Sequence, residues 1–247
     1  MIDTRTLHSV SAPHELRVAV TGGTSGLGRA LVHEIRARGG HVAFIARDAS
    51  RIERVMRDEP GTLGIAADVA DKHAIHAIAL QLLGWRGGVD VLVNNASSLG
   101  PVPLVPLGDT ECEDFERALA TNVLGPFRLT KALLGALAAS ARERRGGVVL
   151  NVSSDAAVNA YANWGAYGAS KASLAHMSRI WDAECSELGI RFLSLDPGDM
   201  DTPLHALAVP DADRATLRDP ADAARELADA IAAALPIGAR LHPAVNT

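Results

Sequence analysis

The stretch Thr21-Gly22-Gly23-Thr24-Ser25-Gly26-Leu27-Gly28, TGGTSGLG, follows a short apolar run and precedes a segment with helical periodicity. Glycines at such a point let the chain turn tightly, approach a bound pyrophosphate closely and pack the helix on the strand. The helix N-terminus also favours an anion. A glycine-rich turn without a ligand has the same composition, and the spacing differs from the commoner Gly-x-Gly-x-x-Gly. The loop predicts a strand, a turn and a helix, with either a dinucleotide or no ligand at the turn.

Apolar runs rich in valine and isoleucine alternate along the chain with amphipathic segments of helical length. The runs predicted as strands are residues 17–20, 41–46, 63–67, 89–94, 147–152 and 191–195. The segments predicted as helices include residues 27–38, 72–83, 113–139 and 167–188. Runs that are apolar throughout are typical of parallel strands buried on both faces. The pattern predicts an α/β fold, a single Rossmann-type doubly wound parallel sheet with helices on both faces.

The domain organisation follows from the absence of repeats, linkers or a shift in composition along the sequence. We expect an N-terminal extension over residues 1–15 and one single domain over residues 16–247. Within it, prolines and aspartates interrupt any periodic pattern over residues 199–219. A long irregular segment in a compact domain is often functional. We therefore predict a substrate lid there.

Composition restricts the possible partners. The 247 residues are 48% hydrophobic and 21% charged, with a net charge of -5, which gives no basic field for nucleic acid or an anionic membrane. The two cysteines, Cys112 and Cys185, show neither metal-ligand spacing nor a disulfide framework. No apolar run approaches the roughly 20 residues that span a bilayer. We expect a cytoplasmic protein with no nucleic-acid or membrane partner and no metal.

A tyrosine and a lysine lie four residues apart in Ala166-Tyr167-Gly168-Ala169-Ser170-Lys171, AYGASK. Residues at this spacing share one helix face, so the phenol and the ammonium point to a common spot. Such pairs are also common on solvated helix faces. The pair alone therefore does not show whether these two residues are catalytic or merely lie on a solvated helix face.

Taken with the glycine loop, this pair resembles the short-chain dehydrogenase/reductase family in its single-domain form. The resemblance runs from Arg17 to about Leu235 and rests on motifs that occur in the family's order. The matching residues are Thr21, Gly22, Gly26, Gly28, Asp68, Val69, Asn94, Asn95, Ala96, Asn122, Ser154, Tyr167, Lys171, Pro197, Gly198 and Thr202. Two departures stand out. Ser97 replaces a usual glycine and is expected to narrow the site near the nicotinamide ribose, and the C-terminus lacks the glycine pair that closes the last strand.

The resemblance implies an NAD(P)-dependent oxidoreductase that interconverts a ketone and a secondary alcohol. Ketone reduction places negative charge on the carbonyl oxygen, so a proton donor and a hydrogen bond must face it. Tyr167 is the expected donor, and Lys171 with the oxidised nicotinamide is expected to lower the phenol pKa from about 10. Ser154 would orient the substrate oxygen, or else only cap a turn. Asn122 would hold a water near Lys171, or else only satisfy buried backbone groups.

The family's cofactor contacts carry over onto the glycine loop, the ends of the second to fourth strands, the catalytic helix and the Pro-Gly turn. The expected cofactor-binding residues are Thr21, Gly22, Thr24, Ser25, Gly26, Leu27, Gly28, Arg47, Asp68, Val69, Asn95, Ala96, Ser97, Tyr167, Lys171, Pro197, Gly198 and Thr202.

Substrate contacts are less well defined by the sequence. Tyr161 and Trp164 either line the substrate cleft or are ordinary surface aromatics, and His205 either touches substrate or is a solvated loop residue. Asp199 and Asp201 would only cap the turn before a lid helix. The mostly apolar segments around these residues favour a small to medium, fairly apolar ketone or secondary alcohol.

The end of the second strand predicts the choice of cofactor. An acidic residue at this point binds the ribose 2′-hydroxyl of NAD, whereas arginine accommodates the 2′-phosphate of NADP. Here Ala46 is followed by Arg47, and Asp48 is expected to point away. Arg47 could also be a solvated loop residue, since Thr24 and Ser25 stand where a second basic residue would strengthen the case. We predict a preference for NADP(H), with NAD(H) possible, and a lean toward reduction.

Other interpretations of the same residues remain open. The fold can serve a non-catalytic nucleotide-binding regulator or scaffold, although such a protein has no need of the full catalytic set. An epimerase or dehydratase of the superfamily is expected to need a longer substrate domain. We also predict a homodimer or homotetramer that pairs the two long helices. The residues expected on the paired faces are Ala118, Leu119, Leu133, Ala136, Leu137, Ala175 and Met177.

Overall fold

A computed structural model describes residues 15–236, Ala239 and Leu241. Its six strands form one sheet, and every neighbouring pair is parallel. The strands are β1 (Arg17–Thr21), β2 (His41–Ala46), β3 (Leu63–Ala66), β4 (Val91–Asn94), β5 (Val148–Val152) and β6 (Arg191–Leu195). Their spatial order is β3-β2-β1-β4-β5-β6. The predicted doubly wound parallel sheet is confirmed.

Eight α-helices connect or follow the strands in the described part of the chain. They are α1 (Gly26–Ala37), α2 (Ala49–Asp58), α3 (Ile75–Gly84), α4 (Cys112–Leu119), α5 (Gly125–Arg142), α6 (Gly165–Cys185), α7 (Pro203–Ala208) and α8 (Pro220–Ala234). None of these helices is both long and apolar enough to cross a bilayer.

The sheet separates two apolar cores because successive side chains of a strand point to opposite faces. Val18 and Val20 of β1 pack on one face with α1 and α8, whereas Ala19 between them packs on the other face with α3 and α5. The same alternation holds along β4 and β5. Burial on both faces accounts for strands that are apolar throughout.

The strand order reverses between β1 and β4. The chain moves outward from β1 through β2 to β3, then returns to place β4 on the other side of β1. Ligands of open α/β sheets bind at such a switch point, outside the carboxyl ends of the strands. The TGGTSGLG loop follows β1 directly and so lies at this point.

The long helix predicted over residues 113–139 is interrupted. A π-helical segment, Ala120–Leu124, separates α4 from α5. Gly125 follows it and lies so close to the loop after β3 that a Cβ there would be 2.9 Å from the carbonyl oxygen of Val69. A π-helical segment inside an α-helix is common at functional sites. The spacing of apolar residues in the sequence does not reveal a π-helical segment, which adds only one residue to a helical turn.

The segment predicted as an irregular lid contains a helix. Thr202 caps α7 by accepting a hydrogen bond from the backbone N–H of His205, and Pro203 occupies its first turn. Asp201 pairs with Arg214 instead of capping this turn, so the predicted capping role of Asp201 is wrong. The neck of the segment is closed by a parallel bridge between Met200 and Arg218.

The faces predicted for helix pairing need correction. Ala118, Leu133 and Leu137 are fully buried within the protomer, so these three cannot pair two copies. The exposed apolar side chains of these helices and of the segment before α5 include Leu124, Phe127 and Ile180. The rings of Phe127 and Trp181, the residue after Ile180, have centroids 6.1 Å apart. The predicted N-terminal extension, residues 1–15, lies outside the described residues except for Glu15, and so does most of the atypical C-terminal stretch after residue 236.

Candidate active site

A cleft of about 970 Å³ opens at the carboxyl ends of the strands. Its volume is at the upper end of the ~300–1,000 Å³ typical of ligand and cofactor sites. It runs from the end of β2, past the glycine loop, to α6 and the lid helix α7. All but two of the predicted site residues line it; the exceptions are Thr21 and Asn122.

The glycine loop forms the floor of the cleft. Gly22 and Gly26 have φ angles of +73° and +49°, which favour glycine. Gly28 has no room for a side chain, because a Cβ there would be 2.2 Å from the Gly22 carbonyl oxygen. Thr21 does not face the cleft. Its hydroxyl oxygen accepts hydrogen bonds of 3.0 Å from the backbone N–H groups of Asn95 and Ala96, so it ties the loop to the end of β4.

The N-terminus of α1 is suited to an anion. Its N-cap residue, Ser25, makes no side-chain capping hydrogen bond, and its first turn carries no acidic residue. The backbone N–H groups of a first turn and the helix dipole favour negative charge. This end of α1 can therefore hold a pyrophosphate.

Basic side chains collect at the end of β2. Arg47 is 79% exposed and lies 4.0 Å from the Asp68 carboxylate, a contact too long to immobilise it. Arg51, in the first turn of α2, lines the same end of the cleft and supplies a second guanidinium that the sequence analysis missed. Asp48 turns its Oδ1 toward the N-terminus of α2, where it accepts a hydrogen bond of 3.1 Å from the Arg51 N–H. The other oxygen of Asp48 lies 3.5 Å from the Arg51 Nε, and Asp48 lines the cleft although it was expected to point away. Two guanidiniums therefore line the cleft together with the carboxylates of Asp48 and Asp68.

Tyr167 and Lys171 lie one turn apart on α6, as the AYGASK spacing predicts. The Lys171 Nζ atom is 5.5 Å from the centroid of the Tyr167 ring and donates a 2.8 Å hydrogen bond to the Val152 carbonyl. The ring of Trp164 packs edge-on against the Tyr167 ring at 5.6 Å between centroids. The ammonium and the phenol are thus both fixed by protein contacts.

Burial shifts both groups toward their neutral forms. It raises the pKa of Tyr167 to about 12, an effect opposed by the hydroxyls of Ser154 and Ser97. It lowers the pKa of Lys171 to about 8, an effect opposed by Asp196. In the chain's own residues, desolvation of the phenol outweighs its polar neighbours. The lowering expected from Lys171 together with the oxidised nicotinamide stays a prediction.

Ser154 lies at the end of β5 and caps the short turn that follows. Its Oγ accepts a 3.2 Å hydrogen bond from the Ala156 N–H and donates one of 3.1 Å to Oδ1 of Asp155. The other oxygen of Asp155 accepts a 2.6 Å hydrogen bond from the Tyr161 hydroxyl. Asp155 lines the cleft although the sequence analysis did not select it. Its position directly after Ser154 was the available signal.

Asn122 lies behind the cleft wall and is 1% exposed. Its Oδ1 accepts hydrogen bonds from the Ser98 N–H at 2.8 Å and the Ser97 hydroxyl at 3.3 Å. Its Nδ2 donates to the Ser98 carbonyl and the Ser170 hydroxyl, each at 2.8 Å. The side-chain amide therefore has no free position for the predicted water. The residue joins the β4 loop to α6, which agrees with the alternative of a buried, satisfied asparagine.

The β6 loop and α7 close the far side of the cleft. Gly198, with a φ angle of +77°, follows Pro197, whose carbonyl accepts a 2.8 Å hydrogen bond from Arg218. Leu204 of α7 packs against the small apolar cluster that includes Tyr167. His205 is mostly buried on α7, and its Nδ1 has no hydrogen-bond partner among the described residues. His205 is therefore a wall residue of the cleft and not a solvated loop residue.

Known proteins are similar to this chain in sequence and in fold. Residues 17–213 match the family model for short chain dehydrogenase, adh_short. The chain is 34% identical over 194 residues to the uncharacterized oxidoreductase Rv1543 of Mycobacterium tuberculosis, covering 76% of this chain and 55% of that one. It is 32% identical over 194 residues to 2-(R)-hydroxypropyl-CoM dehydrogenase of Xanthobacter autotrophicus, covering 76% of each.

A solved structure agrees with these sequence matches. The 3-ketoacyl-(acyl-carrier-protein) reductase from Brucella melitensis, complexed with NADH, has a TM-score of 0.82 at 27% identity, covering 93% of this chain and 96% of that one. The chain spans little more than half the length of the Mycobacterium relative. The matched family model extends from β1 to the lid, and the chain belongs to the short-chain dehydrogenase family.

Proposed function

We propose that the protein is an NADP(H)-dependent oxidoreductase that transfers hydride between nicotinamide and a ketone or secondary alcohol. The observation that carries the proposal is the convergence of Ser154, Tyr167 and Lys171 on the same cleft as the glycine loop. A protein that only sensed a nucleotide would need the glycine loop without these three side chains.

The residues of the cleft fit a dinucleotide along its whole length. The N-terminus of α1 would receive the pyrophosphate, and Asp68 and Val69 line the wall beside the adenosine end. Asn95 holds the glycine loop by donating a 2.9 Å hydrogen bond from its Nδ2 to the Thr21 carbonyl. Lys171 would hold the nicotinamide ribose. The fit rests on the hydrogen-bond donors of α1 and Lys171 and on the glycine loop, which lets the backbone approach a bound pyrophosphate closely.

The side chains around the reacting oxygen can perform the proton transfer. Bound reduced nicotinamide supplies hydride to the carbonyl carbon. Ser154 would donate a hydrogen bond to the carbonyl oxygen and so stabilise the charge that develops there. Tyr167, protonated at neutral pH because burial raises the pKa of its phenol, would transfer its proton to that oxygen. Lys171 would stabilise the resulting phenolate through its positive charge.

The preference for NADP(H) rests on the two guanidiniums at the end of β2. Arg47 and Arg51 line the cleft where a 2′-phosphate would lie, and Ala46 supplies no carboxylate that would repel it. The Brucella melitensis relative is complexed with NADH, so the fold itself does not decide between the cofactors. The residues at the end of β2 would therefore decide between NADP(H) and NAD(H).

A panel of ketones and secondary alcohols, read by absorbance of the reduced nicotinamide, tests the proposed activity. We expect oxidation of NADPH that depends on both enzyme and ketone. A protein that binds NADPH but oxidises it with no carbonyl would be a nucleotide-binding regulator or scaffold instead.

The proposal includes self-association and a cytoplasmic location. Leu124, Phe127 and Ile180 are exposed apolar side chains on or beside the long helices, which supports pairing of two copies as a homodimer or homotetramer. Light scattering at micromolar concentration tests this. A monomer would contradict it.

A further inference from the structure

The carboxylate of Asp155 is the least expected group in the cleft. It lies on the short turn after β5, directly beside Ser154, whose hydroxyl contacts Asp155 Oδ1 at 3.1 Å. The hydroxyl of Tyr161 contacts its other oxygen at 2.6 Å. Both hydroxyls and the carboxylate line the cleft. Asp155 is exposed, and its carboxylate is held directly beside Ser154, the residue predicted to orient the substrate oxygen.

The electrostatic effect of Asp155 reaches the proton donor. Its charge contributes to the raised pKa of Tyr167, after desolvation and the charge of Asp196. Asp155 also raises the pKa of Tyr161 through their hydrogen bond. Because the Asp155 charge acts on the Tyr167 phenol, it would also interact electrostatically with a substrate group beside the carbonyl.

The positive groups nearby do not cancel this charge. Arg117 lines the cleft but forms an ion pair of 2.7 Å with Asp114. Arg214 of the lid is paired with Asp201 at 2.7 Å. Lys171 is engaged with the Val152 carbonyl. Each of these three cations therefore already has a protein partner other than Asp155.

We propose that Asp155 determines substrate specificity, selecting carbonyl compounds that carry a hydrogen-bond donor, a hydroxyl or an ammonium, on the carbon beside the carbonyl. Each oxygen of a carboxylate has two lone pairs, so Asp155 can accept a hydrogen bond from the substrate while keeping that of Tyr161. Ser154 has a single O–H and would turn it from Asp155 to the substrate oxygen. A carboxylate or phosphate at the same place on the substrate would meet a like charge and lose binding. This inference rests on the proposed function, and it replaces the expectation of a fairly apolar substrate.

Four ketones that differ at one group test the inference: aminoacetone, hydroxyacetone, 2-butanone and acetoacetate, which carry an ammonium, a hydroxyl, a methyl and a carboxylate beside the same acetonyl unit. With NADPH, we expect kcat/KM to be highest for aminoacetone and hydroxyacetone, which carry a hydrogen-bond donor, and lowest for acetoacetate. In Asp155→Asn, the ratio of aminoacetone to acetoacetate should fall by about tenfold or more, as expected for loss of one nearby charge. Comparing the ratio between enzymes cancels the intrinsic reactivities of the ketones.

Two further variants separate charge selection from other effects. Asp155→Glu keeps the charge and should keep the order of the ketones. Asp211→Asn removes an exposed aspartate of the lid segment that does not line the cleft, and it should leave the ratio unchanged. A purely structural role, in which Asp155 only positions Ser154, would lower the rates for all four ketones by one common factor.

The failure of this inference can be told apart from failure of the proposed function. The inference is overturned if the wild type does not favour the donor ketones, if Asp155→Asn keeps the wild-type ratio, or if other carbonyls are reduced but none of these four. Absence of NADPH oxidation with every carbonyl tried would instead overturn the proposed function.

Discussion

The Lys171 ammonium nitrogen lies 5.5 Å from the centroid of the Tyr167 ring, and both groups are buried. Burial drives the two pKa values in opposite directions, to about 12 for the phenol and about 8 for the ammonium. In each case burial shifts the equilibrium toward the neutral form, although an ammonium with a pKa of about 8 is still mostly charged at pH 7. The pair therefore holds a protonated acid next to a cation that the fold itself destabilises.

The buried charge of Lys171 should cost stability at neutral pH. Its pKa is near 8 in the folded protein and 10.5 when unperturbed, so the unfolded chain binds more protons between these values. Stability from this group therefore rises as pH increases from about 8 toward 10, below the range where Tyr167 titrates. We expect Lys171→Met to stabilise the protein at pH 7 by on the order of 1 to 3 kcal/mol and to abolish turnover.

Urea unfolding of wild type and Lys171→Met at pH 7 and pH 9.5 measures this effect. The stability difference should shrink at the higher pH, where the wild-type lysine loses its charge in the folded state. A variant that is less stable than wild type at pH 7 would show that the hydrogen bond from Lys171 to Val152 outweighs the desolvation.

Gly28 should tolerate no side chain. A Cβ at this position would be 2.2 Å from the Gly22 carbonyl oxygen and 2.4 Å from Asn95 Nδ2, which holds the loop that faces the cofactor. We expect Gly28→Ala to destabilise the fold by about 1 to 3 kcal/mol and to weaken NADPH binding. Thermal unfolding and fluorescence of bound NADPH measure the two effects.

Gly84→Ala is the matched control, since a Cβ at the end of α3 would meet no atom within 4 Å. It should be neutral or stabilise the helix by up to about 1 kcal/mol. Equal stability and equal NADPH affinity in the two variants would mean that the loop is not held as described.

The end of β2 should determine the choice of cofactor. We expect wild type to have a higher kcat/KM with NADPH than with NADH. Replacing both Arg47 and Arg51 by alanine should lower the NADPH value at least about tenfold, since charge-assisted hydrogen bonds contribute about 1.5 to 3 kcal/mol. The NADH value should change little.

The double change Ala46→Asp with Arg47→Ala should swing the preference toward NADH, because it introduces a carboxylate at the ribose position. Steady-state kinetics with both cofactors checks each variant. Equal NADPH and NADH values in the wild type would mean that Arg47 does not contact the phosphate.

Much of this architecture is predictable from the sequence because it depends on local patterns. Strands buried on both faces are apolar throughout, and the glycine loop marks the point where β1 ends and α1 begins. The i and i+4 spacing of Tyr167 and Lys171 is enough to place both side chains on one helix face. These features need no knowledge of what lies across the fold.

The features that were missed depend on contacts between distant segments. The π-helical segment around Asn122 and the use of its amide by Ser98 and Ser170 come from packing between the β4 loop and α6. The raised pKa of Tyr167 reflects desolvation, which no spacing reveals. Arg51 is brought to the cleft by the turn of α2.

The central claim is that Tyr167 is the proton donor in a carbonyl reduction driven by NADPH, and the Tyr167→Phe variant tests it most directly. The substitution removes one hydroxyl and leaves the ring that packs against Trp164. The measurement is the rate of NADPH oxidation with a ketone that the wild type reduces, beside the NADPH dissociation constant. We predict unchanged cofactor affinity and a rate below about a tenth of wild type, which is a barrier increase of more than about 1.4 kcal/mol. A variant that binds NADPH normally and keeps more than about a tenth of the rate would contradict the account.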